Sequence, residues 1–237
     1  LIELKYYKEA EKLCKSLIKQ YPDNLTLIVD HAILHGQQGK EVKQNQLFEK
    51  AVNSINLKTS FKNISELGLA FEKIKDLSRA LLVHKSGEKF NQNNPYAFHD
   101  KIAFIYNKQG KTLEMINTYL ELLDQSEMFL SSVQSGLSNS IDFDFQLKEK
   151  ELLRKTLLKK VQNNPKDIVY VQLLAWYFLL NHDYENAFVQ IKSIDKKLNK
   201  DGEELLSLAN KALNNNNYNL AIKCFDEVID NTQSNEK

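Results

Sequence analysis

The chain has 237 residues, 42% of them hydrophobic and 27% charged, with a formal net charge of +1; it can bury a substantial core and carries no field that would steer it to nucleic acid or acidic lipid. Its basic residues are almost all Lys, with Arg only at Arg79 and Arg154, a poor inventory for bidentate recognition of phosphates or bases. Cys14 and Cys224 stand near opposite ends and imply no disulfide framework, and no apolar run reaches the ~18 residues of a membrane-spanning helix.

Three Pro and seven Gly amid periodic Leu, Ala, Lys and Glu predict helix throughout, so the class is all-α. The first element, "YYKEAEKLCKSLIKQ" within residues 1–22, reads as the second helix of a partial unit anchored on Ala10. Because the chain starts at Leu1, not Met, and late in the place of a first helix, upstream sequence is expected. The apolar face of a unit cut midway is then an expected place for association. Residues 23–57 offer a helix around Ala32 in "VDHAILH", a turn at Gly39-Lys40, and a second helix with Gln44, Phe48 and Ala51 at its anchor positions. Residues 58–94 repeat the pattern, with Ile64, Leu67, Gly68 and Phe71 on one face, then Ala80, and end in a stretched connection, "KFNQNNP". In residues 95–125 the corresponding positions are Ile102, Ala103 and Tyr106, the turn Gly110-Lys111, then Met115, Tyr119 and Leu122.

The unit at 126–165 is irregular. Its first helix is placed in "SEMFLSSVQSGLSNS" with Gly136 as the small residue, and its second in "LKEKELLRKTLLKKVQNNP" with Leu153 and Leu157. Gly136 and Leu153 are seventeen residues apart where the other units have twelve, so a loop of about five residues is predicted around "NSIDFDF". Residues 166–199 return to the pattern with Val171, Leu174, Ala175 and Phe178, the turn His182-Asp183, then Ala187, Ile191 and Ile194. Residues 200–233 do so again with Leu205, Leu208, Ala209 and Ala212, the turn Asn216-Asn217, then Ala221, Phe225 and Val228, before a polar tail at 234–237.

In five units the position twelve residues before the second-helix anchor is Ala or Gly, and a small residue at a fixed place lets a second helix approach closely. Gly or Asn in the intervening turn suits the left-handed conformation at a helix C-terminus. The anchors at 10, 44, 80, 115, 153, 187 and 221 are separated by 34, 36, 35, 38, 34 and 34 residues, the mark of a helical repeat array. "NHDYENAFVQI" and "NNNYNLAIKCF" are the plainest pair, 34 residues apart. On these residues, and on "ELGLAFEKIKDLSRA", "AFIYNKQGKTLEM" and "AWYFLLNHDYENAF", the chain resembles the tetratricopeptide repeat proteins over almost its whole length. The resemblance implies a single right-handed superhelical α-solenoid of antiparallel helix pairs, about six to seven units, spanning residues 1–237.

It also implies a concave side lined by the first helix of each pair, a surface that in the family receives a peptide or a partner's helix. Residues one step beyond the small positions would face it: Ile33, Leu69, Phe104, Trp176 and Asn210, with Asp100 and Gln172 one turn earlier and Asn107 and Leu179 one turn later. Some family members clamp a terminal carboxylate there with Lys and Asn. Asp100, Gln172 and Ser65 stand where such basic residues would be wanted, so that mode is not expected here. An apolar groove with a polar rim would fit an amphipathic helix or an extended segment with hydrophobic anchors, and Trp176 is the foremost anchor-contacting candidate. The competing reading has these side chains pack on one another or on flanking repeats.

No chemistry rises beside this. "GQQGK" at Gly36–Lys40 is too short for a phosphate loop and lacks the Ser or Thr after Lys, so it reads as a helix-ending turn. No nucleophile and base can be paired, no HExxH or paired CxxC occurs, and no catalytic, cofactor or metal site is expected. His31 and His35 have a zinc-compatible spacing, yet no Glu follows His31 and both fall at packing positions used elsewhere by Leu67 and Phe71. They read as structural histidines, as do His84 and His99, and together they predict a pH-sensitive N-terminal half. The acidic "DFDF" at Asp142–Phe145 lacks the further oxygen ligands of a calcium loop and reads as a solvated insertion. The expected function is a non-catalytic protein–protein interaction scaffold with a protein or peptide partner, without nucleic acid or membrane insertion. A structural spacer, or a regulatory segment of a larger protein, is the alternative. The sequence leaves the compartment open.

Overall fold

The computed structural model describes residues 6–235 apart from 92, 93, 95 and 199–201. Thirteen α-helices fill it, with no strand among the described residues. They are α1 (Tyr7–Gln20), α2 (Thr26–Gln37), α3 (Glu41–Asn53), α4 (Phe61–Lys73), α5 (Leu77–Phe90), α6 (His99–Lys108), α7 (Thr112–Gln125), α8 (Leu130–Ser140), α9 (Leu147–Asn163), α10 (Ile168–Leu180), α11 (Tyr184–Leu198), α12 (Glu203–Asn214) and α13 (Tyr218–Asn235). A 3₁₀ turn, Glu127–Phe129, leads into α8. Among the described residues no helix is long and apolar enough to cross a membrane.

One turn recurs between paired helices and explains the hairpins. Gly39, Lys75, Gly110, His182 and Asn216 all have positive φ, from 56° at His182 to 72° at Gly39. The next residue then donates its N–H back across the turn: Lys40 to His35, Asp76 to Phe71, Lys111 to Tyr106, Asp183 to Phe178 at 2.9 Å, and Asn217 to Ala212 at 2.8 Å. This closure satisfies carbonyls that the helix end would otherwise leave unpaired and reverses the chain within three residues. At three of the turns that same residue starts the next helix. The carboxylate of Asp76 accepts from Arg79 N–H, that of Asp183 from Asn186 N–H, and the amide oxygen of Asn217 from Leu220 N–H. The left-handed turns at Gly39, Gly110, His182 and Asn216 fall where the sequence places them; Lys75, a residue without glycine's freedom, carries the fifth.

The chain divides into two compact units, Leu1–Thr118 and Tyr119–Lys237. In the first, α2 pairs with α3 and α4 with α5, α1 lies against α2, and α2 packs on α4. Its core collects Val29, Ala32, Phe48, Ala51, Leu67, Phe71, Ala80, Val83 and Phe98, with Phe48 edge-on to Phe71 at 5.4 Å. The small residue of α4 is required: a Cβ at Gly68 would lie 2.4 Å from the ring of His84 on α5. His31, His35, His84 and His99 are all buried, as their packing positions predict.

In the second unit α10 pairs with α11 and α12 with α13 around Val171, Ala175, Ile191, Ile194, Leu208, Ala209, Ala221 and Cys224. The irregular region differs in kind, because α10 packs against both α8 and α9. The inserted residues 141–146 form a turn, as their composition predicts, stapled by the Asp142 side chain, which accepts from the N–H groups of Asp144 and Phe145. Gly136 serves a close approach, since a Cβ there would meet the Tyr119 ring at 2.4 Å. Helix α13 continues through Asn235, so the polar C-terminal stretch is helical further than its composition indicates.

Candidate functional site

The helices α2 and α4 are the first members of neighbouring pairs, and an open groove of about 450 Å³ runs between them. Its floor is apolar: Val29 and Ile33 from α2, Leu69 and Ala70 from α4, and Ile74 just beyond the end of α4. Periodicity puts them there. Ala32 and Gly68 turn toward the second helices, so the residues one step on, Ile33 and Leu69, turn away from the pair interfaces and toward each other's side. Leu69 is 42% exposed, a large apolar side chain of that floor left facing solvent.

Three charges rim the groove. Glu66 is spoken for, lying 3.8 Å from the Lys62 ammonium one turn away. Asp30 makes no ion pair among the described residues; desolvation raises its carboxyl, and Lys73 across the groove pulls it back only in part. Asp30 is itself exposed, and a rim carboxylate in no ion pair offers a place for a basic group arriving with a ligand.

The eight sequence-predicted binding residues lie on α2, α4 and α6 of the first unit and on α10 of the second. Ile33 and Leu69 meet in the groove. Phe104, with exposed Asp100 and half-buried Asn107, lies on α6; Phe104 is 43% exposed, and the Lys108 ammonium stands 5.3 Å above its ring. Trp176, Gln172 and Leu179 are half-buried on α10 in the second unit. Trp176 already has an internal partner: Phe143, from the inserted turn, meets it edge-on at 6.0 Å and also reaches Tyr177 at 6.2 Å. The Lys150 ammonium holds that turn down by donating to the Phe143 carbonyl at 2.6 Å. Asn210 is exposed on α12 and Ser65 half-buried on α4, neither lining the groove.

The groove also uses residues that sequence reasoning passed over, Val29, Asp30, Lys73 and Ile74. The signal was available. The one-turn step that led from Phe104 to Asp100 leads from Ile33 to Val29, and a four-residue step forward from Leu69 reaches Lys73.

No protein-family model matches the chain, and no curated protein matches it. Among solved structures, a tetratricopeptide repeat protein from Parabacteroides merdae is similar at 12% identity with a TM-score of 0.34, over 97% of this chain and 88% of that one. The likeness is too distant to carry any residue or partner across. The helix pairs stand on the turns and packing above.

Proposed function

We propose that this chain is a non-catalytic protein-interaction module whose α2–α4 groove receives a partner segment bearing a large apolar side chain next to a basic residue. The observation that carries it is Leu69, exposed on the apolar floor of the groove, with Asp30 at the rim in no ion pair among the described residues. A groove of this volume takes one or two large side chains, and an anchor buried there with a charge at its edge is how a short segment gains both affinity and register. The non-catalytic reading rests on the sequence, which pairs no nucleophile with a base.

The reading is tested by selecting peptides from a random library on the intact chain and comparing binding to Leu69→Asp and to a Phe104→Ala, Trp176→Ala double variant. Circular dichroism first establishes that all three are equally helical. The expected result is a selected motif pairing an apolar anchor with Lys or Arg, weakened by about tenfold or more in Leu69→Asp and unchanged in the double variant. Peptides that bind Leu69→Asp as tightly as the parent sink the groove assignment. Loss confined to the double variant moves the interaction to the α6 and α10 faces, and a library that yields no binder favours the spacer role.

A further inference from the structure

We propose that Glu11 of α1 with His31 and His35 of α2 forms a binding site for a divalent transition-metal ion of the zinc class, clipping α1 onto the first helix pair. The carboxylate and the two imidazoles each offer a ligand atom, and those atoms lie within 4.8 Å of one another; among the described residues no other three such side chains gather this closely. Their placement follows from the fold. His31 and His35 are one turn apart on the face of α2 that meets α1, and the rings stand 4.8 Å apart, tilted by 44°.

The histidines give a second, independent reason. His31 is 7% exposed and His35 0% exposed, yet Nε2 of His31 and both ring nitrogens of His35 have no hydrogen-bond partner. Buried polar nitrogens are nearly always satisfied, and a group left without a partner calls for an ion, a water or a chemical role. Other buried histidines of this unit are placed differently. His99 has the Glu88 carboxylate at 2.6 Å, and His84, whose ring nitrogens also have no hydrogen-bond partner, stands by itself with Glu72 at 3.6 Å. Only at His31 and His35 do two unsatisfied imidazoles and a carboxylate converge.

The geometry and the charges narrow the ion. Ligand bonds of about 2.0–2.2 Å in a tetrahedral zinc site bring neighbouring ligand atoms to roughly 3.3 Å, so the longest separation must close by about 1.5 Å. Glu11 is the mobile partner, partly exposed and held by the Lys15 ammonium at 2.6 Å, itself a largely exposed side chain free to swing away. Lys15, Lys40 and Lys43 act electrostatically on His35 and oppose a cation, with Glu11 the one negative charge on the other side. A hard ion that depends on oxygen ligands and charge, calcium or magnesium, is therefore excluded in favour of one bound through imidazole nitrogen. Three protein ligands leave a fourth position for water.

The sequence shows His31 and His35 at a zinc-compatible spacing but no acidic ligand next to His31. It comes instead from twenty residues upstream, across a helix contact.

The test is equilibrium dialysis of the chelator-treated chain against zinc chloride, with cobalt substitution as a spectroscopic readout. The expected result is one zinc per chain, visible bands of tetrahedral cobalt displaced by zinc, and slower amide exchange over α1 on zinc addition. Glu11→Gln, which leaves the buried histidines in place, is expected to weaken binding by about tenfold or more, and His31→Gln to abolish the cobalt bands with helicity retained. Calcium and magnesium are expected not to compete. No zinc bound at micromolar concentration and neutral pH overturns the proposal. So does zinc bound equally by the parent, Glu11→Gln and His31→Gln, which would place it on surface groups elsewhere.

Discussion

His84 sits at 0% exposure between Phe98, whose ring centroid is 5.3 Å away, and the space left by Gly68. Burial holds its imidazole down to about 4, with Lys101 adding to the effect. The folded chain therefore keeps His84 neutral where the unfolded chain, near the ordinary histidine value of about 6.5, takes up a proton. Since the unfolded state binds more protons in that window, its contribution to stability is present at neutral pH. It is lost as pH falls from about 6.5 toward 4, by up to about 3 kcal/mol at ~1.4 kcal/mol per unit. Glu72, 3.6 Å away with its own carboxyl raised by burial, works in the opposite sense as it takes a proton, so the figure is a ceiling. The urea midpoint is expected to drop between about pH 7.5 and about pH 5.5, and His84→Leu to flatten that drop. An unchanged midpoint in the parent chain would remove the pH sensitivity that the four buried histidines predict.

At the scale of elements, the inserted turn between α8 and α9 interrupts the repeat, and its Phe143 packs edge-on against the single tryptophan of the chain. Trp176 thus reports on the turn without interference. Phe143→Ser is expected to shift its emission to the red and to lower stability by about 1 kcal/mol, the scale of an aromatic pair beyond its buried area. Far-ultraviolet circular dichroism should not change, because α9 and α10 keep their own contacts. An unmoved emission maximum would mean that the turn does not shield α10. This contact also explains why a Trp at a predicted ligand-facing position need not bind a ligand. Local spacing fixes the side of the helix on which Trp176 emerges, while an insertion some thirty residues upstream supplies what covers it.

At the scale of the molecule, the main helix contacts within each unit, among the described residues, join helices one or two places apart in the chain, from α1 with α2 to α12 with α13. Stability in such an architecture is a sum of local terms, so damage should stay local. Leu67→Ala removes a fully buried side chain from α4 at a cost of about 2–5 kcal/mol. Amide exchange is expected to speed most in α4 and α5 and hardly at all in α12 and α13; a uniform rise across the chain would show a single cooperative block instead. The sequence by itself determined the all-helical class, the hairpin turns and the pair interfaces, because those depend on contacts three, four and twelve residues apart, which spacing encodes directly. Gly39, Gly110 and Asn216 announce their turns by residue type; Lys75 does not, because its left-handed backbone is imposed by the helices it joins. Only the tertiary structure decided which predicted surface residues meet. Ile33 and Leu69 share a groove, Trp176 meets Phe143, and a carboxylate oxygen of Glu11 lies within 4.8 Å of two histidines that its own helix does not contain. Each of these joins residues from different helices, and the distance across a helix contact is set by how side chains interlock, which no periodicity in the chain records.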